Sequence, residues 1–583
     1  MFSLALSALS LVVGPPLRSR ASGNEIRCAS GNEIRCAAAD ELTTDVVATA
    51  DELTTDVVVV GSGLGGLSCA AMLAKYGHDV SVFEAHTIAG GCAHSFERDG
   101  YTFDSGPSLW AGCAAPSTNP LRQVLDAVGE SPEWVQYDGW WMYTETGEYY
   151  AQSGDEAAFK KLIASRGGGG GAVAEWEKLR EFLKPMATSV FAVPPVALRG
   201  DPGALLTVLP WLKAFANPLI GLRARFLQGP WSDVLDAANV HDAFLRNWFD
   251  FLAFAFSGLP SDGTIAAAMT YMLEDFYRPG AMMDYPLGGS GAVVDALVRG
   301  VEKHGGRVAL ARPVEELLVE DGRCVGVRLR NGTVVRARRA VVSNAPGWNT
   351  AKLLPAETRA ELARAGGDAG ALDEGTPATP SFMHLHLGFR ADGLSERVLE
   401  SIHHIVVPSW EELTAPQQTV FVSIPSLLDP SLAPAGRHVL HAYVPATEPY
   451  EVWEGMDRRS DEYKALKAER AEPLWRAIER FIPDIRERAE VTMVGSPLTH
   501  ERFLRRHRGT YGPELRAGER GFPSAYSKVD GLLLCGDSTF PGIGVPAVAG
   551  SGIAAAHAVS GVAAQRELLR EMDGRGVLRP ALP

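Results

Sequence analysis

Four consecutive valines, Val57 to Val60, run directly into Gly61-Ser62-Gly63-Leu64-Gly65-Gly66. An unbroken β-branched run predicts a strand buried on both faces, as in a parallel sheet covered by helices. Residues 67–76 predict a helix, and residues 78–83 a second strand ending at Glu84. Glycines at 61, 63 and 66 thus lie between a strand and a helix, with an acid 18 residues after Gly66. That combination is a dinucleotide-binding fingerprint. Gly61 permits the tight turn, Gly63 lets backbone approach a pyrophosphate, and Gly66 lets the helix pack closely on the strand. The helix start faces the phosphate charge. Glu84 is placed to hydrogen-bond ribose hydroxyls, and its charge opposes a 2′-phosphate, which argues against NADP.

The rest of the chain narrows the function class. Its 583 residues are 46% hydrophobic and 21% charged, an ordinary globular mix. The net charge of −15 argues against a nucleic-acid binder, whose affinity comes from basic patches. No run approaches the ~20 apolar residues of a transmembrane helix. Seven cysteines, at 28, 36, 69, 92, 113, 324 and 535, form no C-x-x-C pair. A disulfide framework or structural zinc site is not expected, and a reducing compartment fits best.

Residues 1–55 read differently. A short apolar run over 1–13 is followed by Arg18 and Arg20, then by a Ser/Ala/Arg-containing stretch. ASGNEIRC at 21–28 recurs at 29–36, and ADELTTDVV at 39–47 recurs at 50–58. We read 1–55 as a two-part plastid-targeting leader, disordered, and assign no function to Cys28 or Cys36. A misplaced start of the chain is the alternative.

Further motifs follow the fingerprint. Gly90-Gly91 precedes a hairpin-like stretch, 95–107, with its turn at Asp99-Gly100. Tyr285-Pro286-Leu287-Gly288-Gly289 precedes a helix, and a β-meander turns at Asp321-Gly322 and Asn331-Gly332 before Ser343-Asn344-Ala345. Leu532-Leu533-Leu534-Cys535-Gly536-Asp537 reads as a buried strand and turn, leading through Gly542, Gly544 and Pro546 into a small-residue helix. The pattern DVVVVGSGLGG, VFEAH and GGCAHSFERDGYTFDSGP resembles the FAD-dependent phytoene desaturase and carotenoid isomerase family. The resemblance spans about residues 55–565. Residues 423–434 and 505–513 are similar to the isomerase branch, and GGCAHSF and GDSTFPGIGVPAVAGSG look like its isomerase-like relatives.

The resemblance implies an α/β fold: a discontinuous Rossmann-type FAD-binding domain with a mixed-sheet and helical substrate domain. FAD-binding parts are expected at 56–150, 286–350 and 501–565. Substrate parts are expected at 151–285, also membrane-associating, and at 351–500, with 566–583 a tail. The implied FAD contacts are Gly61, Ser62, Gly63, Leu64, Gly65, Gly66, Glu84, Ala85, Gly90, Gly91, Gly106, Val314, Asn344, Gly536, Asp537, Gly544, Val545 and Pro546. Backbone N–H groups at the start of the small-residue helix are placed to face the N1–C2=O edge of the flavin and stabilise its reduced anion. Gly288-Gly289-Ser290-Gly291 follows no strand, so no separate NAD(P)H domain is expected and the electron donor is unidentified.

The implied activity is redox-neutral cis/trans isomerisation of poly-cis carotenes with reduced FAD, in a plastid, at the membrane periphery or in the stroma. No acid or base other than the flavin is identified. A carotenoid desaturase, saturase or hydratase is the alternative on the same scaffold, and a non-catalytic carotenoid-binding flavoprotein is the alternative of another class. A flavin amine oxidase shares the fold but needs a polar amine pocket, which nothing in the sequence supports.

Other residues carry weaker signals. The apolar stretch 204–220, broken by Pro210 and Pro218 and followed by Arg223 and Arg225, suits a membrane interface with Trp211 and Phe215 in lipid, or a core hairpin. His384 and His386 share a strand face, but no third ligand is placed, so no metal is expected. His403 and His404 point to opposite faces. Trp140-Trp141 and Tyr149-Tyr150 line a polyene channel or, more simply, fill the core. Arg505, Arg506 and Arg508 read as a solvated basic run, with flavin phosphate or membrane binding the alternative. Cys92 reads as a small residue near the flavin, not a nucleophile.

Overall fold

The computed structural model describes residues 52–364, 375–519 and 521–583. Most of the expected leader lies outside these. Glu52–Thr55 do not: they belong to the first strand, so its start precedes the expected boundary at 55/56.

The strand β1 (Glu52–Val60) lies at the centre of a seven-stranded sheet. Val57 and Val59 pack into one hydrophobic cluster and Val58 and Val60 into another, so both faces are covered. The helix α1 (Leu64–Lys75) returns the chain to β2 (Val80–Phe83), parallel to β1. On the other side, β3 (Val334–Ser343) also runs parallel to β1. Leu532–Leu534 pairs parallel with the end of β3, while Arg323–Leu329 pairs antiparallel with its beginning. Segments hundreds of residues apart therefore meet at the carboxyl end of β1, in the middle of the sheet. Helix α2 (Val545–Val559) packs against α1 so tightly that a Cβ on Gly552 would lie 2.4 Å from the Gly65 carbonyl oxygen. Beyond residue 565 the chain is not a loose tail: Leu568, Leu569, Met572 and Leu578 are buried in the same core.

A second seven-stranded sheet has β4 (Ser381–Arg390) and β5 (Arg437–Glu448) antiparallel within it. Alternation divides their side chains. Leu385, Leu387, Leu440 and Ala442 pack under the helix Asp461–Glu479. His384, His386, His441 and Tyr443 occupy the opposite face. The hairpin strands Gly139–Thr144 and Gly147–Gln152 belong to this sheet, although the sequence reading kept residues up to 150 with the first. Their alternation suits either sheet, and pairing with His403–Val407 decides the matter. Helices Gly170–Phe191, Ala243–Ser257 and Ala266–Phe276 cover the aromatic end, burying Trp140, Trp176 and Trp248.

Among the described residues no single helix is long and apolar enough to cross a membrane. Ala204–Phe215 and Pro218–Ala224 form a bent pair, at 111° to each other. Leu205, Leu206, Leu209, Leu219 and Leu222 are exposed on it. Trp211 is not lipid-facing: it is buried, and its indole N–H donates to the Ala581 carbonyl at 3.0 Å. A buried indole needs such a partner, and the carboxyl-terminal segment supplies it.

Candidate cofactor site and substrate cleft

The glycine fingerprint forms the floor of the site. Gly61 has φ +91°, a conformation few side chains tolerate. A Cβ on Gly66 would lie 2.3 Å from the Gly61 carbonyl oxygen, and one on Gly63 2.6 Å from Asn344 Nδ2. A Cβ on Gly65 would meet Asn344 Oδ1 at 2.7 Å and the Gly536 nitrogen at 3.0 Å. Asn344, at the end of β3, donates its backbone N–H to the Val60 carbonyl. Gly90 donates to the Ser62 carbonyl at 3.0 Å, and Gly91 lies directly on Gly63. The fold thus brings the two glycine clusters, Asn344 and the Gly536 turn together.

Glu84 stands at the end of β2. One carboxylate oxygen accepts from the Ser62 N–H at 2.8 Å and its hydroxyl at 2.7 Å, and the other accepts from the His86 N–H. Glu84 therefore also holds the loop in shape. Ala85 follows it, half-buried, and Val314 is buried where the backbone of Arg312 donates to the Glu84 carbonyl. Gly106 lies against Cys92: a Cβ there would meet the Cys92 carbonyl oxygen at 2.3 Å.

At the carboxyl end, Gly536 has φ +96° and donates to Ser551 Oγ. Asp537 accepts from Arg506 Nη2 at 2.5 Å. Here the expected solvated arginine run is corrected. The Arg506 side chain is 12% exposed and also donates to the Thr510 and Tyr511 carbonyls. Burial is the largest influence on it and opposes its charge, but Asp537 and the neighbouring Cys92 together hold it above the usual guanidinium range. Arg508 pairs instead with Glu451, and Arg505 is exposed. Sequence reasoning missed the Arg506–Asp537 pair because it joins residues 31 apart through a loop without periodicity. Cys92 is exposed, and its Sγ accepts from Arg506 Nη1 at 3.8 Å.

Two helix starts are open. The N-caps of α1 and α2, Gly63 and Gly544, carry no side-chain cap, and Val545 and Pro546 begin α2. By contrast, the helix Ser290–Lys303 after Gly288-Gly289 is capped by protein: Ser290 N–H donates to Asp104 and Gly291 N–H to Ser95 Oγ. The glycine cradle and the open ends of α1 and α2 fit a dinucleotide with a ring at its far end.

Beside this site lies an apolar pocket lined by Leu109, Trp140, Phe251, Ala255, Met283 and Phe421, among others. Phe256 also lines it, and its carbonyl accepts the Tyr511 hydroxyl at 3.4 Å. Of the aromatic pairs, Trp140 reaches this pocket, Trp141 meets Tyr150 edge to face, and Tyr149 is buried among helices. His403 and His404 do point apart, to Tyr137 and Tyr143.

A mixed sheet with a parallel core and a glycine-cradled helix start defines a dinucleotide-binding fold. The family profile of flavin-containing amine oxidoreductases matches residues 64–560. The chain is 32% identical over 520 residues to the chloroplastic prolycopene isomerase of Daucus carota, covering 86% of this chain and 79% of that one. It is 28% identical over 534 residues to the neurosporene-forming phytoene desaturase of Rhodobacter capsulatus, covering 85% and 92%. Among solved structures, an oxidoreductase from Methanosarcina mazei superposes with a TM-score of 0.55 at 20% identity, over 86% of this chain and 99% of that one. Putrescine oxidase superposes at 0.53 and 16%, over 90% and 100%. The chain belongs to the flavin-containing amine oxidoreductase family, in the group of prolycopene isomerases and phytoene desaturases. It is a flavin-dependent, carotenoid-related enzyme, and the cofactor its family implies is FAD.

Proposed function

We propose that the chain isomerises poly-cis carotenoid double bonds without net redox change. The observation that carries this reading is the 32% identity to a prolycopene isomerase over 86% of the chain, and the apolar lining of the small pocket, which offers no charge to an amine, supports it. Tyr511 joins the pocket to the flavin end: its hydroxyl meets Phe256, and its carbonyl accepts from Arg506, the partner of Asp537.

In this reading Gly61, Ser62, Gly63, Leu64, Gly65, Gly66, Glu84, Ala85 and Val314 take the adenosine and phosphate end. Gly90, Gly91, Gly106, Asn344, Gly536, Asp537, Gly544, Val545 and Pro546 take the ribityl and ring end. The first sheet with α1 and α2 forms the FAD-binding part, and the second sheet with its helices the substrate part. A bound flavin supplies hydride acceptance when oxidised and electron density against the polyene when reduced. The protein's own work is to hold that group, to face negative charge with the N–H groups opening α2, and to keep water from the polyene with aromatic walls. The desaturase relative favours a second reading, removal of hydrogen by the oxidised flavin. Product mass after incubation with each flavin form separates the two.

The exposed leucines of the bent pair fit a bilayer interface, with Arg223 and Arg225 beside them at the headgroups. The isomerase relative of Daucus carota is chloroplastic, which supports the plastid as this chain's compartment. Replacing Leu206, Leu209, Leu219 and Leu222 with serine is expected to move the protein from plastid membranes to the soluble fraction, with flavin content unchanged. Equal membrane retention would remove this surface from the account.

A further inference from the structure

We infer that His384, His386 and His441 form a binding site for a divalent first-row transition ion, zinc foremost. The inference is independent of the carotenoid reading. Sequence spacing placed two of these histidines on one face of β4. The pairing of β4 with β5 sets His441 directly opposite His386. One ring nitrogen from each of the three lies within 4.8 Å of the others.

His386 offers a free ligand atom, while His384 and His441 turn theirs toward each other. His386 Nε2 lies 3.1 Å from the Asp104 carbonyl oxygen, to which only an N–H can bond, so Nδ1 carries the lone pair. A backbone carbonyl fixing the far nitrogen in this way is the usual second-sphere support of a metal-binding histidine. His384 Nδ1 and His441 Nε2 are 2.7 Å apart and share one proton. Whichever ring donates it, one lone pair and one N–H remain. His384 Nε2 and His441 Nδ1 are both buried without a partner, in side chains 4% exposed. An ion between the facing nitrogens replaces that hydrogen bond: the shared proton moves to the outer nitrogen of the donating ring, and both facing lone pairs turn to the metal. Three imidazoles without a carboxylate suit zinc, copper or iron better than magnesium or calcium. Zinc–nitrogen bonds of about 2.0–2.1 Å place ligand nitrogens roughly 3.4 Å apart, and the His386 ring, stacked on His441 with centroids 4.3 Å apart, turns to bring Nδ1 to the ion. His500, its ring 4.6 Å from that of His384, is the next imidazole in line.

The test uses the flavin-loaded full chain, stripped with a chelator, equilibrated with zinc and desalted. One zinc ion per chain is the expected result, with affinity falling roughly tenfold or more in His386→Ala and His441→Ala. Flavin absorbance reports whether each variant is folded. Cobalt in the wild-type protein is the second readout and needs no variant: intense visible bands of a low-coordinate nitrogen site are expected. Zinc retention no higher than in the His384→Ala/His441→Ala double variant, or the weak spectrum of hydrated cobalt, overturns the proposal.

Discussion

Gly66→Ala is expected to yield a protein almost free of FAD. Two effects oppose each other at this position. Alanine is favoured over glycine inside a helix by about 1 kcal/mol. The new Cβ, however, would stand 2.3 Å from the Gly61 carbonyl oxygen and 3.0 Å from Asn344 Cβ. One neighbour is the backbone of the phosphate turn and the other is tied to Val60 through its own backbone, so neither is free to swing away. Overpacking of this kind costs typically 1–3 kcal/mol even where side chains can yield. The clash wins, α1 moves off β1, and the cradle loses its shape. Bound flavin, read by absorbance after gel filtration, is expected to fall to about a tenth or less of the parent level. Gly574→Ala is the control: it ends the last helix with nothing within 4 Å of its new Cβ, and it is expected to keep flavin and stability. Full flavin in Gly66→Ala would show that the fingerprint does not hold the cofactor.

The second large effect is expected at Asp537. Its carboxylate is the sole carboxylate shown meeting the Arg506 guanidinium among the described residues, and both side chains are largely buried. Asp537→Asn keeps the shape and removes the charge, leaving a buried arginine uncompensated. Removing one partner of a buried pair costs about 3–5 kcal/mol, far more than the pair contributes against apolar replacements. The urea midpoint should drop accordingly, with flavin released early because Gly536 adjoins the pair. Arg506→Met/Asp537→Leu should cost less than the sum of its single variants, since neither charge is then orphaned. Additive losses would mean that the two residues act independently.

Both effects sit where the sequence was unequally legible. The cradle was readable because its information is local: a valine run, three glycines and an acid within one βαβ unit. The partners of the cradle were readable as motifs, at Asn344 and at Gly536–Asp537, but their meeting at the end of β1 is a matter of strand order. The second sheet was harder. Gly139–Gln152 carries alternation that suits any antiparallel sheet, and its pairing with residues 403–407 has no local signal. Arg506 looked like one of three similar cations, and a loop rather than a periodic element carries it inward. His384 and His386 were visible as a same-face pair, whereas His441 lies 57 residues from His384 and enters only through the register of β4 with β5. Trp211 looked lipid-facing from its apolar neighbours, while the residue that covers it, Ala581, lies at the far end of the chain.

The central claim is that a hydrocarbon polyene is rearranged beside the flavin held at Gly61–Gly66 and Gly536–Pro546. It is tested most directly by a mass-resolved chromatogram of poly-cis carotenes incubated anaerobically with the FAD-loaded protein, its flavin oxidised in one half and chemically reduced in the other. The account predicts a product of unchanged mass and shifted retention, formed only with reduced flavin. Loss of two hydrogens with oxidised flavin, or gain of two hydrogens or of water with reduced flavin, would contradict it, and so would unchanged pigment in both halves while FAD stays bound.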